Sequence, residues 1–463
     1  MHSSVGNARF TAVGPAGNVA SFSPDVWRLI AIVIIAAVFL AAAGPTYLEI
    51  WNGRKIPDDF AVVYNGARAT WDHVDIHDAT NGMYIYSPFL AFVFQPFVAL
   101  PLRIAALVWL VLSALIIIAA SLIAAQKVTG SWGLSEEGSP IPLLASAIAL
   151  LLSFEKIRSD FILGQTDCLI LIGLVAVLCA MEERPWLAGL ATGLTANFKY
   201  LALIFVPYFI IKRNYRATLA ATIWFLLFFC LPAVEIGLRL LKSYALNALD
   251  VLVRVVLGGA VAHTVVPGRT PIVNSVTWEN SVSLTSSILR ATRGHEIPDA
   301  VAAGMITLLF CALAVGVVLI GRRWNVDLFK PKISRANASC ERAATIEWAS
   351  LIVLALAFGP QTTARHMILL ILVYTVALGI FFAQRRNGPR LVLVISMLAT
   401  AVALSLPFRD TGIHPWLKSL KEMGAASWCA VVLMLSIAWI GCRTSLRTTP
   451  LKTAKDRARV AAD

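Results

Sequence analysis

Charge is what this chain has least of. Asp, Glu, Lys and Arg make up 14% of its 463 residues, where soluble domains carry about 25%, and hydrophobic residues make up 58%. That balance excludes a water-soluble globular protein and makes lipid the expected solvent. Paired cysteine spacing is also missing. Cys168, Cys179, Cys230, Cys311, Cys429 and Cys442 lie in or at the edge of apolar runs, and Cys340 lies in a basic loop, so no disulfide framework is expected. There is no P-loop and no GxGxxG, hence no cradle for a nucleotide. No small-residue cleavage site follows the first apolar run, Trp27 to Ala43, which is long enough to span rather than to serve as a signal peptide. No internal repeat is visible.

What is present is a series of apolar segments, at 27–46, 84–100, 103–125, 140–154, 164–181, 185–211, 217–236, 299–321, 345–359, 363–383, 390–406 and 424–442. Inside lipid only helices satisfy the backbone of such runs. The expected fold is therefore an all-α integral membrane bundle of about twelve helices. The expected organisation is a disordered cytoplasmic N-terminus at 1–24, one polytopic domain at 25–442 with external loops at 47–83 and 237–298, and a basic cytoplasmic tail at 443–463.

The net charge of +13 follows from basic residues gathered between spans, not from nucleic-acid binding. Arg443, Arg447, Lys452, Lys455, Arg457 and Arg459 put the tail inside. Lys212, Arg213, Arg216, Arg322, Arg323, Arg385, Arg386 and Arg390 mark other inside loops. Loops 47–83, 237–298 and 408–423 then lie outside. One stretch permits two counts. In the first, 84–100 spans and 185–211 is one long helix, as hydropathy and length favour. In the second, 84–100 (with Pro88 and Pro96) is re-entrant and 185–211 breaks near Asn197–Lys199. The two disagree on which side Gly164–Gln165 and Lys199 face.

Loop 47–83 concentrates the chemistry, with Glu49, Asp58, Asp59, Asp72, Asp75 and Asp78 beside His73 and His77. A solvated connector is the plain alternative. Neighbouring carboxylates point apart on any regular backbone, so one of Asp58 and Asp59 is expected to face a pocket. His73 and His77 lack a third metal ligand. Polar residues within apolar runs are the other candidates, because charge at membrane depth is costly. These are Gln165 and Asp167, Lys199, and the pair Arg365–His366. Snorkelling for Lys199 and interfacial anchoring for the Arg365–His366 pair are the plain readings.

The order of short motifs resembles glycosyltransferase family 87, in the GT-C superfamily of membrane enzymes. The residues are Asp59-Phe60 followed by Tyr64, Tyr86-Ser87-Pro88-Phe89, Gln95-Pro96-Phe97 through Leu100-Pro101, Trp109, Gly164-Gln165-Thr166-Asp167, Gly189, Gly193 and Lys199, Glu279-Asn280-Ser281, and Pro360 with Arg365-His366. The resemblance runs from about Trp27 to about His366. Asp167 stands where the family usually has Asn, and Arg365 where it often has His.

The resemblance implies transfer of a hexose, typically mannose, from a polyprenyl-phosphate donor to a glycolipid or polysaccharide acceptor on the external face of the cell membrane. It implies Asp59 as general base, with Asp58 in reserve. It gives the donor phosphate to Lys199, Arg365 and His366, and sugar hydroxyls to Tyr64, Gln165 and Asn280. It also places the Gly164–Gln165 turn near the catalytic face, which favours the second count. No cofactor is implied, although Asp58, Asp59 and His73 offer ligands for a divalent cation. A transporter or flippase for a lipid-linked or anionic substrate is the competing function, and a non-catalytic scaffold a third.

Overall fold

In a computed structural model, residues 23–256, 276–295, 297–330, 338–360, 362–406 and 415–448 are described. The expectations for residues 1–22, for 257–275 and 407–414 of the external loops, and for the tail beyond 448 lie outside them.

The apolar segments form helices and the polar joints break them. In chain order these are α1 (Pro24–Trp51), α2 (Asp58–Trp71), α3 (Ile76–Ala79), α4 (Pro88–Val98), α5 (Leu102–Ser131), α6 (Ile141–Leu152), α7 (Phe154–Leu163), α8 (Asp167–Ala180), α9 (Pro185–Phe198), α10 (Phe205–Ile211) and α11 (Tyr215–Cys230). There follow α12 (Ala233–Val256), α13 (Leu284–Gly294), α14 (Asp299–Arg323), α15 (Ala338–Phe358), α16 (Leu370–Ala383), α17 (Asn387–Leu404), α18 (Pro415–Glu422) and α19 (Ala425–Thr448). Short 3-10 turns at Tyr200–Ile204 and His366–Leu369 lead into α10 and α16. No strand occurs among the described residues, and the chain is an all-α, multi-pass membrane protein. Among the described residues six helices are long and apolar enough to cross a bilayer, and Pro88–Val98, Ile141–Leu152, Asp167–Ala180 and Tyr200–Ile211 are shorter apolar helices.

A helix that is apolar on every side belongs in the centre. α16 is such a helix: Leu370 through Ile380 are all buried, with Tyr374 fully enclosed. α14 is the opposite case, with Leu308 and Val315 exposed on a helix that touches little protein, as a lipid-facing edge requires. α9 and α11 pack through small residues. A Cβ on Gly193 would come within 2.7 Å of the Phe225 amide, and Gly189 lies against Ala217, Ala220 and Ala221, so the two backbones approach closely.

Contacts sort the helix ends into two faces. At one face Arg28 donates to the Gly138 carbonyl, Arg342 to the Ser131 carbonyl, Lys212 pairs with Glu347, and Gln384 donates to Thr444. At the opposite face lie the N-terminus of α2, the α7–α8 turn and the 3-10 turn before α16.

This division decides between the two counts. The Tyr84 ring packs on Gly66 of α2, and the Tyr64 hydroxyl donates to the Leu100 carbonyl (2.8 Å). Both ends of segment 84–100 therefore sit on α2, and α4 enters and leaves at one face rather than spanning. Segment 185–211 is likewise not one helix. α9 stops at Phe198 and Lys199 is extended (φ −149°, ψ 140°), while α10 ends at Ile211, just before Lys212 on the far face. Hydropathy favoured unbroken spans because it counts apolar side chains and is blind to where the backbone turns. The segment from 237, expected as an external loop, differs from a plain loop, since α12 continues the chain at a 102° bend from α11.

Gly164 fixes the α7–α8 turn in two ways. Its φ of +68° lies in the left-handed region that favours glycine, and a Cβ would meet those of Phe60 (2.6 Å) and Pro57 (2.8 Å). Gly164→Ala is expected to push the turn off α2. Amide hydrogen exchange over residues 58–64 should then speed up, and unchanged exchange would refute this packing role.

At the far face Glu347 is fully buried and accepts from the Tyr208 hydroxyl (2.7 Å), from Lys212 (3.1 Å) and from the Phe329 amide. It joins α10, α15 and the turn after α14. Removing one partner of a buried ion pair strands the other, so Glu347→Ala should destabilise by about 3–5 kcal/mol. Thermal unfolding in detergent reads this out, and a melting temperature equal to wild type would overturn it.

Candidate functional site

Asp58 and Asp59 open α2 behind Pro57. Only Asp59 turns inward; Asp58 is exposed. The neighbouring residue explains the orientation. Phe60 is fully buried in an aromatic nest of Tyr64, Phe97 and Trp109, with Phe94 packed on the last two. Anchoring Phe60 rotates the first turn of α2 so that the residue before it faces the α7–α8 turn. The Trp109 indole N–H donates to the Gln165 carbonyl (3.3 Å), tying that turn to the same nest.

Asp59 Oδ2 accepts from two distant segments. Gln165 Nε2 donates from 106 residues later, and Arg365 Nη1 donates at 2.6 Å from 306 residues later. Burial holds the Asp59 carboxyl above the usual carboxylate range. The Arg365 and Lys199 charges pull in the other direction and do not cancel it.

A second ion pair lies beside the first. Lys199 Nζ meets Asp167 Oδ1 at 2.5 Å, and its ammonium lies 5.9 Å from the centre of the Tyr86 ring. Lys199 can reach because the chain is not helical there. Asn197 steadies the break by donating to the Gly193 carbonyl (2.9 Å) and the Phe225 carbonyl (3.0 Å). Irregular backbone at membrane depth is tolerated where it lines a protein cavity. His366 Nδ1 accepts from the Thr363 amide (3.1 Å), which fixes the ring at the start of its 3-10 turn.

Sequence reasoning passed over Asp160. It lies on α7, 1% exposed, and neither carboxylate oxygen has a hydrogen-bond partner among the described residues. Burial, with Asp167 adding to it, holds this carboxyl well above the usual range and favours the neutral acid. Asp59, Lys199 and Arg365 all lie near enough for their charges to act on it. The available signal was the polar stretch Glu155 to Asp160 between two apolar runs.

The structure thus brings Asp59, Gln165, Lys199 and Arg365 together, with His366 following Arg365 at the start of the 3-10 turn. Two other sequence candidates stand apart from the carboxylate. Tyr64 is buried with its hydroxyl used on Leu100. Asn280 accepts from Lys421 (3.0 Å) and makes no bond to Asp59. His73 and His77 do not share a helix; His73 has φ 57° and its Nδ1 lies 2.8 Å from the Glu235 carbonyl.

Chemically the cluster offers a half-buried carboxylate, two cations already partnered by acids, an amide and a buried neutral acid. Such a set can take a proton from a hydroxyl and can offset charge on a departing oxyanion.

Comparison with known proteins points the same way. The chain is 32% identical over 148 residues to a polyprenol-phosphate-mannose-dependent alpha-(1-2)-phosphatidylinositol mannoside mannosyltransferase of Mycobacterium tuberculosis, covering 30% of this chain and 34% of that one. It is 29% identical over 204 residues to a polyprenol-phosphate-mannose-dependent alpha-(1-2)-phosphatidylinositol pentamannoside mannosyltransferase of Mycolicibacterium smegmatis, covering 42% and 47%. The chain therefore spans between a third and a half of these relatives. No solved structure matches. The glycosyltransferase family 87 model matches residues 84–330, more than half of the sequence, and the chain belongs to that family.

Proposed function

We propose that this protein is a membrane glycosyltransferase that moves a hexose, most simply mannose, from a polyprenyl-phosphate donor to a lipid-borne or polysaccharide acceptor. The observation that carries this reading is the junction at Asp59: a carboxylate at the rim of a membrane bundle, held by an amide and a guanidinium from remote segments. The relatives named above, by their names, use a polyprenol-phosphate-mannose donor and act on phosphatidylinositol mannosides, which supports a phosphoglycolipid as acceptor.

In the proposed step the acceptor hydroxyl attacks the anomeric carbon from the side opposite the phosphate. The new C–O bond forms as the bond to phosphate breaks, so the configuration inverts. The hydroxyl proton passes to Asp59, and polyprenyl phosphate leaves with the bonding electrons. Arg365, and Lys199 behind it, are suited to offset the charge on that phosphate. Before donor binds, both cations are neutralised by Asp59 and Asp167. An incoming phosphate competes for Arg365 and frees the carboxylate to act as base.

The side of action follows from charge. Lys212, Arg342 and the α16–α17 joint with Arg385 and Arg386 belong to the face opposite Asp59. Basic residues favour the cytoplasm, which supports an exterior position for the Asp59 face.

Two variants test the roles. Asp59→Asn keeps the shape of the side chain and removes the base, so transfer should fall by a factor of about 10²–10⁴ with folding intact. Purified protein, polyprenyl-phosphate mannose and a panel of lipid acceptors, read by mass spectrometry, give the measurement; wild-type turnover in this variant ends the assignment.

Arg365→Gln removes the charge that lowers the Asp59 pKa, so that pKa rises further. A base works only when deprotonated. The acid limb of the kcat/KM profile should therefore move to higher pH, with a lower plateau from the lost phosphate contact. A limb that stays in place or moves to lower pH would show that Asp59 is not the titrating base.

A further inference from the structure

α12 changes direction where the chain leaves the bundle. α11 begins just after Lys212 at the far face, so its C-terminal end and α12 lie at the Asp59 face, and the two helices meet at 102°. A kink at Gly237 (φ 78°) follows. Beyond the kink α12 has two apolar sides. On one, Leu241 and Tyr244 are buried in a cluster with Ala69, Ile76 and Tyr84. On the other, Leu238 is 75% exposed and Leu246 and Leu249 are each 55% exposed. At 3.6 residues per turn these three leucines share one face. Lys242 falls within that face and Arg239 on its edge, and both are exposed.

An apolar face of this kind marks a contact with lipid or protein. Continuity and charge identify which. On α11, Leu219, Ile223, Leu226 and Leu227 are about half exposed, as the lipid-facing wall of a membrane bundle requires. Val234, 78% exposed just past the bend, prolongs that surface toward Leu238. A protein partner would bury Lys242 and would have to supply an acid for it. A bilayer surface accommodates it directly, because the stem lies along acyl chains while the ammonium reaches the phosphates.

The protein-facing side of α12 is fastened to the segment after α2. The Tyr244 hydroxyl donates to Asp75 Oδ1 (2.8 Å) and accepts from the Ile76 amide (2.9 Å), and the His77 ring stands edge-on to the Tyr244 ring (centroids 4.9 Å apart). His73 Nδ1 lies 3.5 Å from Glu235 Oε2.

We infer that α12 is a membrane-surface docking helix whose partner is the phospholipid leaflet on the Asp59 side. Leu238, Leu246 and Leu249 enter the boundary between headgroups and acyl chains, and Arg239 and Lys242 meet the phosphates, with anionic phospholipids preferred. The helix thereby attaches the segment after α2, and with it the element opened by Asp58 and Asp59, to the bilayer surface. The docking does not depend on the transferase reading.

The test uses the full-length protein in nanodiscs of phosphatidylcholine and phosphatidylglycerol in equal parts. The photo-crosslinking residue p-benzoylphenylalanine is placed at position 238, 246 or 249, or at the flanking exposed position 243. Mass spectrometry should find phospholipid adducts at the three leucine positions and few at 243. Adducts with the mass of a second chain, no adducts at the leucine positions, or equal lipid labelling at 243 would each overturn the docking. Arg239→Gln and Lys242→Gln should each lower the ratio of phosphatidylglycerol to phosphatidylcholine in the adducts, by up to about fivefold. An unchanged ratio in both variants overturns the phosphate contacts. None of these readouts uses turnover, so failure of the transferase reading, seen as activity retained in Asp59→Asn, stays separate.

Discussion

The hydrogen-bonded junction at Asp59 is the constraint on which the functional face depends. One carboxylate oxygen receives Gln165 and Arg365, so α2, the α7–α8 turn and the 3-10 turn before α16 must meet at a single point. Each arrives by a different device. α2 is turned by the burial of Phe60, the α7–α8 joint is turned by a left-handed glycine that leaves no room for a Cβ, and the last is steadied by the Thr363–His366 bond. A shift in any of these elements moves a donor away from the carboxylate.

The same face shows why a membrane protein interrupts its helices. An unbroken helix through 185–211 would satisfy its own backbone and leave Lys199 on a lipid-facing or packed surface. Stopping at Phe198 exposes polar backbone, which Asn197 partly repairs, and places the ammonium on Asp167. α4 turns back after eleven residues and supplies aromatic walls without crossing. The apolar bulk of α16 and its neighbours offers a close-packed support, in which Leu370 through Ile380 are all buried. The break at Lys199 and the α7–α8 turn put Lys199 on Asp167 and Gln165 on Asp59.

Much of this was legible in the residues. The apolar runs marked the helices, the Asp59-Phe60 pair marked the inward carboxylate, and Lys199 in an apolar stretch marked a break. What hydropathy misjudged, the continuity of 84–100 and 185–211, depends on how helix ends dock on α2 and on the far face. Those contacts are made with residues remote in sequence. Asp160 escaped because a carboxylate in a short polar joint reads as a solvated connector until α7 is seen to be buried. Asn280 was grouped with the Asp59 residues by motif alone. Its partner Lys421 lies 141 residues later, and no local pattern carries that pairing.

Charge balance links the two halves of the site. With Asp160 neutral, the acids Asp59 and Asp167 cancel the cations Lys199 and Arg365, so the ligand-free cluster carries no net charge to attract water or ions into the bundle. In the proposed reaction a donor phosphate upsets that balance by drawing Arg365 toward itself. The carboxylate then loses its strongest partner at the moment a proton must be accepted. Coupling base strength to donor binding in this way keeps Asp59 quiet toward water when no sugar is in place.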